Sequence, residues 1–91
     1  MNSLLPYSLY ILQCNDGTYY TGITSELVRR INEHNTSTKG AKYTRNRRPV
    51  VLVYHETYPD KSSALKREVQ IKRLTRAQKI DLIASTTPYN L

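Results

Sequence analysis

The 91-residue sequence has no tryptophan, no phenylalanine, a single cysteine and no long apolar run. One cysteine excludes an internal disulfide and a zinc site built from several thiolates, so we expect Cys14 to be a small core residue in a reducing compartment. A membrane span needs about 20 apolar residues, and the start of the chain lacks the basic residues of a signal peptide. The sequence therefore predicts a soluble cytoplasmic protein with one domain over residues 1–91, a core at about 7–84 and a tail at 85–91.

Acidic residues are also scarce, with 7 Asp and Glu against 14 Lys and Arg. Residues 1–38 hold two basic and three acidic residues, whereas residues 39–91 hold twelve basic and four acidic residues. A polyphosphate backbone is the commonest partner of such a surface, although cationic patches also meet membranes and acidic proteins. We expect a nucleic acid as the partner, and no membrane.

The segments SLYILQC at 8–14 and TYYTGI at 18–23 are rich in β-forming residues and flank the turn sequence NDG. This pattern predicts a β-hairpin. A two-residue turn would put Tyr10 and Tyr20 on opposite faces, because side chains alternate along a strand. A three-residue loop that ends in a left-handed Gly17 puts both tyrosines on the same face.

With the three-residue loop, Cys14 pairs with Thr18, and Gly22 lies directly across from Tyr10. A glycine at that position leaves open space over the tyrosine. Glycine inside a strand often marks the close approach of a ligand or of another backbone, and a bulge or a barrel corner explains it about as often.

Residues 24–35, TSELVRRINEHN, predict a helix with Thr24 as its N-cap. Arg30 and His34, one turn apart, lie along an edge of the apolar stripe, where they can point into a site. The stripe itself consists of Leu27, Val28 and Ile31.

The segment 37–49, STKGAKYTRNRRP, is a predicted loop that contains five basic residues and no acidic residue. Its unbroken sign and its tyrosine favour a track for nucleic-acid phosphates with a stacking ring, although a solvated loop can have the same composition. The candidate nucleic-acid-binding residues are Lys39, Lys42, Tyr43, Arg45, Arg47 and Arg48. The apolar run at 50–57 predicts a buried strand, in which we take His55 as structural or surface.

Two further helices are predicted, at about 61–74 after Pro59 and Asp60, and at about 76–84 after a capping box of Thr75 and Gln78. Both starts follow from side chains that can bond the free amides of a first helical turn.

Glu68 is an anomaly because it falls on the apolar face of the first of these helices, only about 40° from Ala64. That face also contains Leu65 and Ile71. An unpaired carboxylate there would cost several kcal/mol, so it needs a proton, a cationic partner or a metal ion. Lys72, one turn further on, could supply a simple ion pair.

Taken in order, these residues resemble the GIY-YIG nuclease domain over about residues 7–83. Ser-Leu-Tyr at 8–10 and Tyr-Thr-Gly at 20–22, with Gly22 as its last residue, stand where the family has its two triplets. Arg30 and His34 match the family's arginine and the His or Tyr four residues on, and Glu68 matches its single metal-binding glutamate. The segment KGAKYTRNRRPVVLVY is similar to small stand-alone members and to branched-DNA nucleases of the family.

The resemblance implies hydrolysis of DNA phosphodiester bonds with one Mg²⁺ or Mn²⁺ ion, held by Glu68. It further implies that Tyr10 takes a proton from the attacking water, and that Arg30 stabilises charge on the scissile phosphate. A tyrosine base needs help from nearby cations, since its ordinary pKa is about 10. Tyr20 would orient the water or the phosphate, and His34 would shuttle protons or contact the phosphate.

The fold class expected is α+β, with a three-stranded antiparallel sheet flanked by about three helices. Recognition should follow backbone shape, as in branched or single-stranded DNA, and RNA is not excluded. One alternative is a nucleic-acid-binding module with a weak or inactive site, which the absence of asparagine at 69–89 favours because many members have one there. Another is a nuclease subunit that needs a protein partner.

Overall fold

A computed structural model describes residues 5–85. These residues form an α+β fold with a three-stranded antiparallel sheet, which confirms the predicted class. The sheet order is β2-β1-β3, so β1 is central. The elements are β1 (Tyr7–Gln13), β2 (Tyr19–Thr24), α1 (Leu27–Thr36), α2 (Lys42–Arg45), β3 (Val51–Tyr58), α3 (Lys61–Lys72) and α4 (Arg76–Ala84). The described part of the chain thus has four helices, because the segment predicted as a loop contains the one-turn helix α2.

The β1–β2 hairpin has the three-residue loop and the predicted register. The amide of Cys14 donates to the carbonyl of Thr18 at 2.8 Å. Gly17 has φ +85°, the left-handed conformation that closes such a loop at little steric cost for glycine. Gly22 is the partner of Tyr10 across the ladder. The hairpin therefore brings Tyr10 and Tyr20 to one face of the sheet.

The sheet separates two apolar clusters, because alternate side chains of the central strand β1, in which residues 9–12 are buried, point to opposite faces. On one face, α3 and α4 cover a cluster whose buried members are Leu9, Ile11, Tyr54 and Ile71. On the other face, Leu27 and Ile31 of α1 pack against a cluster of Tyr10, Leu12, Cys14 and Val50. Cys14 is a buried free thiol, as its position in an apolar run indicated.

Helix α1 begins later than predicted, and its buried face is different. The Thr24 hydroxyl accepts from the amide of Glu26 at 3.0 Å in the turn before the helix, so Thr24 is not its N-cap. Val28 is 84% exposed instead of buried. On a helix, His34 lies about 20° from Leu27, whereas Val28 lies about 100° away. The histidine, not the valine, completes the buried stripe.

Among the residues that the structure describes, strand β3 pairs only with β1 and is therefore an edge strand. The prediction of a buried strand is therefore wrong: Val51 is 59% exposed, and His55 is also exposed. On α3, Ala64 and Ile71 are buried as predicted, but Leu65 is 41% exposed because it lies on the side of the helix that faces away from the sheet.

The predicted helix starts at residues 60 and 75 are confirmed. Asp60 accepts from the amide of Ser63 at 2.8 Å. Thr75 and Gln78 form a reciprocal capping box. Of the predicted tail at 85–91, only Ser85 lies within the described residues. Within residues 5–85, no helix has the length and apolarity that crossing a membrane requires.

Candidate active site

The phenol of Tyr10 lies against Gly22. A Cβ atom at Gly22 would stand 2.6 Å from Tyr10 Oη and 2.8 Å from its Cζ, which is too close for any side chain. The space that the glycine leaves is therefore filled by Tyr10 itself and not by a ligand. Tyr10 is only 1% exposed. Its phenol oxygen can lie at this position because residue 22 has no side chain.

Helix α1 supplies the hydrogen-bond partner of that oxygen. Tyr10 Oη and His34 Nε2 are 2.8 Å apart, and both side chains are buried. The second ring nitrogen, His34 Nδ1, accepts from the amide of Ala41 at 3.2 Å and lies 3.1 Å from Thr44 Oγ1. Burial, with a smaller contribution from Arg30, lowers the pKa of His34 to about 4. The imidazole is therefore neutral at neutral pH.

Tyr20 and Arg30 border the same phenol. The ring centroid of Tyr20 lies 6.4 Å from that of Tyr10 and 5.2 Å from that of His34. The Arg30 guanidinium donates to Glu33 Oε1 at 2.9 Å and to the carbonyl of residue 39 at 2.8 Å. These two contacts hold the guanidinium in place, with part of it open to solvent.

Burial and three neighbouring side chains set the acidity of the Tyr10 phenol. Burial and then the neighbouring Tyr20 raise the pKa of Tyr10 to about 12, and the negative charge of Glu68 adds a smaller increase. Arg30 acts in the opposite direction and lowers the pKa. The fold therefore brings Tyr10, Tyr20, Arg30 and Glu68 within electrostatic reach of one another, although they are spread over nearly 60 residues of sequence.

Glu68 is largely buried, with 16% of its side chain exposed, and its Oε2 lies 3.1 Å from Lys72 Nζ. The ion pair considered from the sequence is thus present. Within residues 5–85, no cluster of three or more His, Cys, Asp and Glu side chains is suited to a metal. A lone carboxylate still fits Mg²⁺, which binds through one or two carboxylates and keeps most of its waters. Zinc, which needs three or four protein ligands, does not fit.

The basic segment 37–48 divides into exposed cations and cations with internal partners. Lys39 and Lys42 are exposed. Arg45 is also exposed, and it donates to the carbonyl of residue 38 at 3.1 Å. Arg48 instead donates to the carbonyls of His34 and residue 37, both at 2.6 Å, and so caps the C-terminus of α1.

Tyr43 and Arg47 form a stack against the site. The Tyr43 ring packs on Tyr20 with centroids 6.0 Å apart and a 28° angle between planes. The guanidinium of Arg47 lies 3.9 Å from the centroid of Tyr43 and bonds Asp16 Oδ2 at 3.0 Å. Tyr43 therefore braces Tyr20, and it already has two stacking partners.

Thr44 and the amide of Ala41 were not expected from the sequence as contacts of the site. Neither residue belongs to a recognisable pattern. The available signal was Gly40, where a Cβ atom would stand 2.7 Å from the carbonyl oxygen of Glu33 and 2.8 Å from the Cα of His34. This glycine lets the segment approach the end of α1 closely enough to reach the histidine.

Comparison with known proteins gives one family match. The family model for the GIY-YIG catalytic domain matches residues 6–81. Among curated proteins, a UPF0213 protein of Desulfotalea psychrophila is 58% identical over 78 residues, which cover 86% of this chain and 71% of the relative. A UPF0213 protein of Staphylococcus epidermidis is 56% identical over 75 residues, covering 82% of this chain and 90% of the relative.

Solved structures also match this chain, and two examples are similar in fold. The solution NMR structure of a UPF0213 protein from Bacillus halodurans matches at a TM-score of 0.60 and 44% identity, covering 92% of this chain and 89% of that chain. The solution NMR structure of a protein from E. faecalis matches at a TM-score of 0.62 and 42% identity, covering 93% and 90%.

Proposed function

The chain belongs to the GIY-YIG family, and from this membership we propose that it is a metal-dependent endonuclease that hydrolyses phosphodiester bonds of DNA. One observation carries the proposal. The Tyr10 phenol is held over Gly22, bonded to His34, and within electrostatic reach of Arg30 and Glu68. This set combines a proton acceptor, a cation for the phosphate and a hard carboxylate, which are the groups that phosphodiester hydrolysis needs.

Glu68 is the residue that would hold the metal ion. A bound Mg²⁺ or Mn²⁺ would supply Lewis-acid stabilisation of charge on the phosphate. The Lys72 ammonium neutralises Glu68 in the structure, so we infer that it gives up this contact when the ion binds. A cation at Glu68 would also cancel the effect by which this carboxylate raises the pKa of Tyr10.

Tyr10 would take the proton of the attacking water. With a pKa of about 12, the phenolate of Tyr10 is a minor species at neutral pH. Each hydrogen-bond donor or cation near its oxygen therefore helps to stabilise the phenolate. His34 is 2.8 Å away, and the positive charge of Arg30 favours the phenolate. Arg30 is partly exposed and bonded to Glu33, which suits it to contact the scissile phosphate. Tyr20, beside Tyr10, would orient the water or the phosphate.

We propose further that selectivity depends on DNA shape, as in branched or single-stranded DNA, with RNA as an alternative to test. The exposed cations Lys39, Lys42 and Arg45 are sequence-independent contacts for a phosphate backbone. Position-specific readout of bases would need side chains in a groove, and this basic segment offers mainly charge. A protein partner that completes the enzyme would extend this surface.

A nucleic-acid-binding module without activity is the second candidate. The specific observation that favours it is the Glu68–Lys72 ion pair, which satisfies the carboxylate without a metal. In that case Glu68 and Lys72 would contribute only to the stability of α3.

The test is a cleavage assay on labelled flap, fork, four-way and linear duplex DNA, and on matched RNA, in Mg²⁺ or Mn²⁺, with a chelator control. The matched variants are Glu68→Gln and Lys72→Met. We expect metal-dependent cuts by the wild type and none by Glu68→Gln, which should still bind DNA. We expect Lys72→Met to bind Mn²⁺ more tightly, because the competing ammonium is gone. Binding without cuts on every substrate, and no measurable Mn²⁺ binding by either protein, would support the inactive module.

A further inference from the structure

The imidazole of His34 has one nitrogen toward Tyr10 and the other toward the segment 40–44. At Nδ1 the partner is the amide of Ala41, 3.2 Å away. A peptide N–H can only donate, so Nδ1 is the acceptor in this contact and carries no proton there. Since His34 is neutral, its single proton is on Nε2. The nitrogen that faces Tyr10 Oη is therefore a donor.

Thr44 holds the peptide group of Ala41, whose amide determines which nitrogen of His34 carries the proton. The Thr44 hydroxyl has one hydrogen and two partners within reach, the carbonyl oxygen of Ala41 at 2.8 Å and His34 Nδ1 at 3.1 Å. Thr44 is 0% exposed, so water does not compete for either contact. The carbonyl of Ala41 is thus held by Thr44 while its amide is directed at the imidazole.

Gly40 allows the segment 40–44 to lie close to the backbone of α1. A Cβ atom at this position would meet backbone atoms of Glu33 and His34 at 2.7 and 2.8 Å. Backbone atoms cannot move aside as a flexible side chain can, so an alanine would push the segment away from α1. The amide of Ala41 would then no longer reach Nδ1.

The opposite tautomer would give Tyr10 a different role. If Nδ1 carried the proton, it would oppose the N–H of Ala41 and would donate to Thr44 Oγ1, and Nε2 would accept the phenol proton of Tyr10. Tyr10 would then be a donor to His34, and its phenolate would face a lone pair. A general base needs the reverse, an oxygen whose negative form is stabilised by donors.

We propose that the Ala41 amide and Thr44 hold His34 as the Nε2–H tautomer, so that His34 donates to Tyr10 Oη and keeps Tyr10 available as a proton acceptor. The inference rests on the proposed nuclease function and deepens it. Thr44 is then a positioning residue that acts on the chemistry through His34. The segment that bears the exposed cations Lys42 and Arg45 also sets the hydrogen bonding of the reactive tyrosine.

The tautomer is read directly from long-range ¹H–¹⁵N correlation spectra of ¹⁵N-histidine-labelled protein at neutral pH, without substrate. The exposed His55 serves as the internal reference. We expect an unprotonated Nδ1 and a protonated Nε2 in wild-type His34. A protonated Nδ1 would overturn the proposal.

Variants separate positioning from a general structural role. Thr44→Val and Gly40→Ala should each give mixed or reversed tautomers and a kcat for cleavage lower by about 10- to 100-fold, with KM little changed. Thr44→Ser should restore both. A Thr44→Val protein that folds with the wild-type tautomer and kcat would also overturn the proposal. A wild-type protein that cleaves no substrate would overturn the proposed function instead, while the spectra still decide the tautomer.

Discussion

Tyr10 and Gly22 are partners across the β1–β2 ladder, and the phenol of Tyr10 occupies the volume that any side chain at residue 22 would fill. The phenol oxygen would be 2.6 Å from a Cβ atom at that position. The strand glycine and the buried tyrosine therefore form one unit. Changing either residue moves the oxygen that we assign as the proton acceptor.

Gly22→Ala should abolish cleavage and destabilise the fold by about 1–3 kcal/mol, because the new methyl group overlaps the phenol. The measurement is urea denaturation with a cleavage assay. In a Tyr10→Leu background the same alanine should cost much less, since the clashing ring is absent and alanine suits a strand better than glycine. If Gly22→Ala destabilises the wild-type and Tyr10→Leu proteins equally, the close contact with the phenol is not the cause of the destabilisation.

Replacing a buried threonine with valine should have opposite effects on stability at residues 21 and 44. Thr21 is 4% exposed, and its hydroxyl oxygen has no hydrogen-bond partner among the described residues, whereas the Thr44 hydroxyl is bonded. Thr21→Val should raise the free energy of unfolding by about 1 kcal/mol, and Thr44→Val should lower it by a similar amount. Thermal unfolding of both variants tests this pair. Destabilisation by Thr21→Val would mean that its hydroxyl has a partner.

The unfolding free energy should fall as the pH is lowered from 7 to 5. Burial depresses the pKa of His34 from its ordinary 6.5 to about 4. Between these values the unfolded chain binds a proton that the folded protein does not, so stability is full above 6.5 and is lost as the pH falls toward 4. The expected loss from pH 7 to 5 is about 2 kcal/mol.

Denaturation curves of wild type, His34→Gln and His55→Gln at both pH values measure this effect. The groups that face His34 are Tyr10 from β1, Tyr20 from β2, Arg30 and Glu33 from α1, and Arg48. None of them is a group that ordinarily titrates between pH 5 and 7. His34→Gln should flatten the pH dependence, and His55→Gln should leave it unchanged. If His34→Gln loses as much unfolding free energy as wild type between pH 7 and 5, His34 is not the group responsible for the loss.

Removing single charges from the basic segment should separate binding from capping. Lys42→Gln and Arg45→Gln should each weaken DNA binding uniformly across sequences and reduce the salt slope by roughly 1, because each cation displaces a counterion. Arg48→Gln should instead destabilise α1, whose last carbonyls Arg48 binds. Lys66→Gln on α3 is the control. Salt slopes that do not differ from that control would rule out the segment as the phosphate track.

Local chemistry made much of the fold predictable from the sequence. The hairpin register and the capping box of α4 follow from short-range rules on turns and caps, and both are present. Val28 and Leu65 were placed wrongly because helical periodicity gives relative angles but does not say which neighbour covers which side. His34 was predicted at the edge of the apolar stripe because a histidine is polar, and the sequence does not show the partners that its two ring nitrogens have in the buried site.

The rest of the site depends on contacts between distant segments. Thr44 reaches His34 only because Gly40 lets two backbones approach, and neither residue has a periodic signal. Arg48 was grouped with the phosphate contacts by charge alone, whereas its position relative to the end of α1 gives it a capping role. Charge patterns identify candidate cations, and tertiary structure decides which of them are free to bind.

The most direct test of the nuclease account is single-turnover cleavage by Tyr10→Phe, beside Tyr54→Phe as the matched control. Both substitutions remove one buried phenol oxygen, but Tyr54 bonds Glu56 on the opposite face of the sheet. We predict that Tyr10→Phe lowers the cleavage rate by at least about 100-fold while it keeps its fold, DNA binding and Mn²⁺ binding, and that Tyr54→Phe cleaves normally. A Tyr10→Phe protein that cleaves DNA at the wild-type rate would contradict the account.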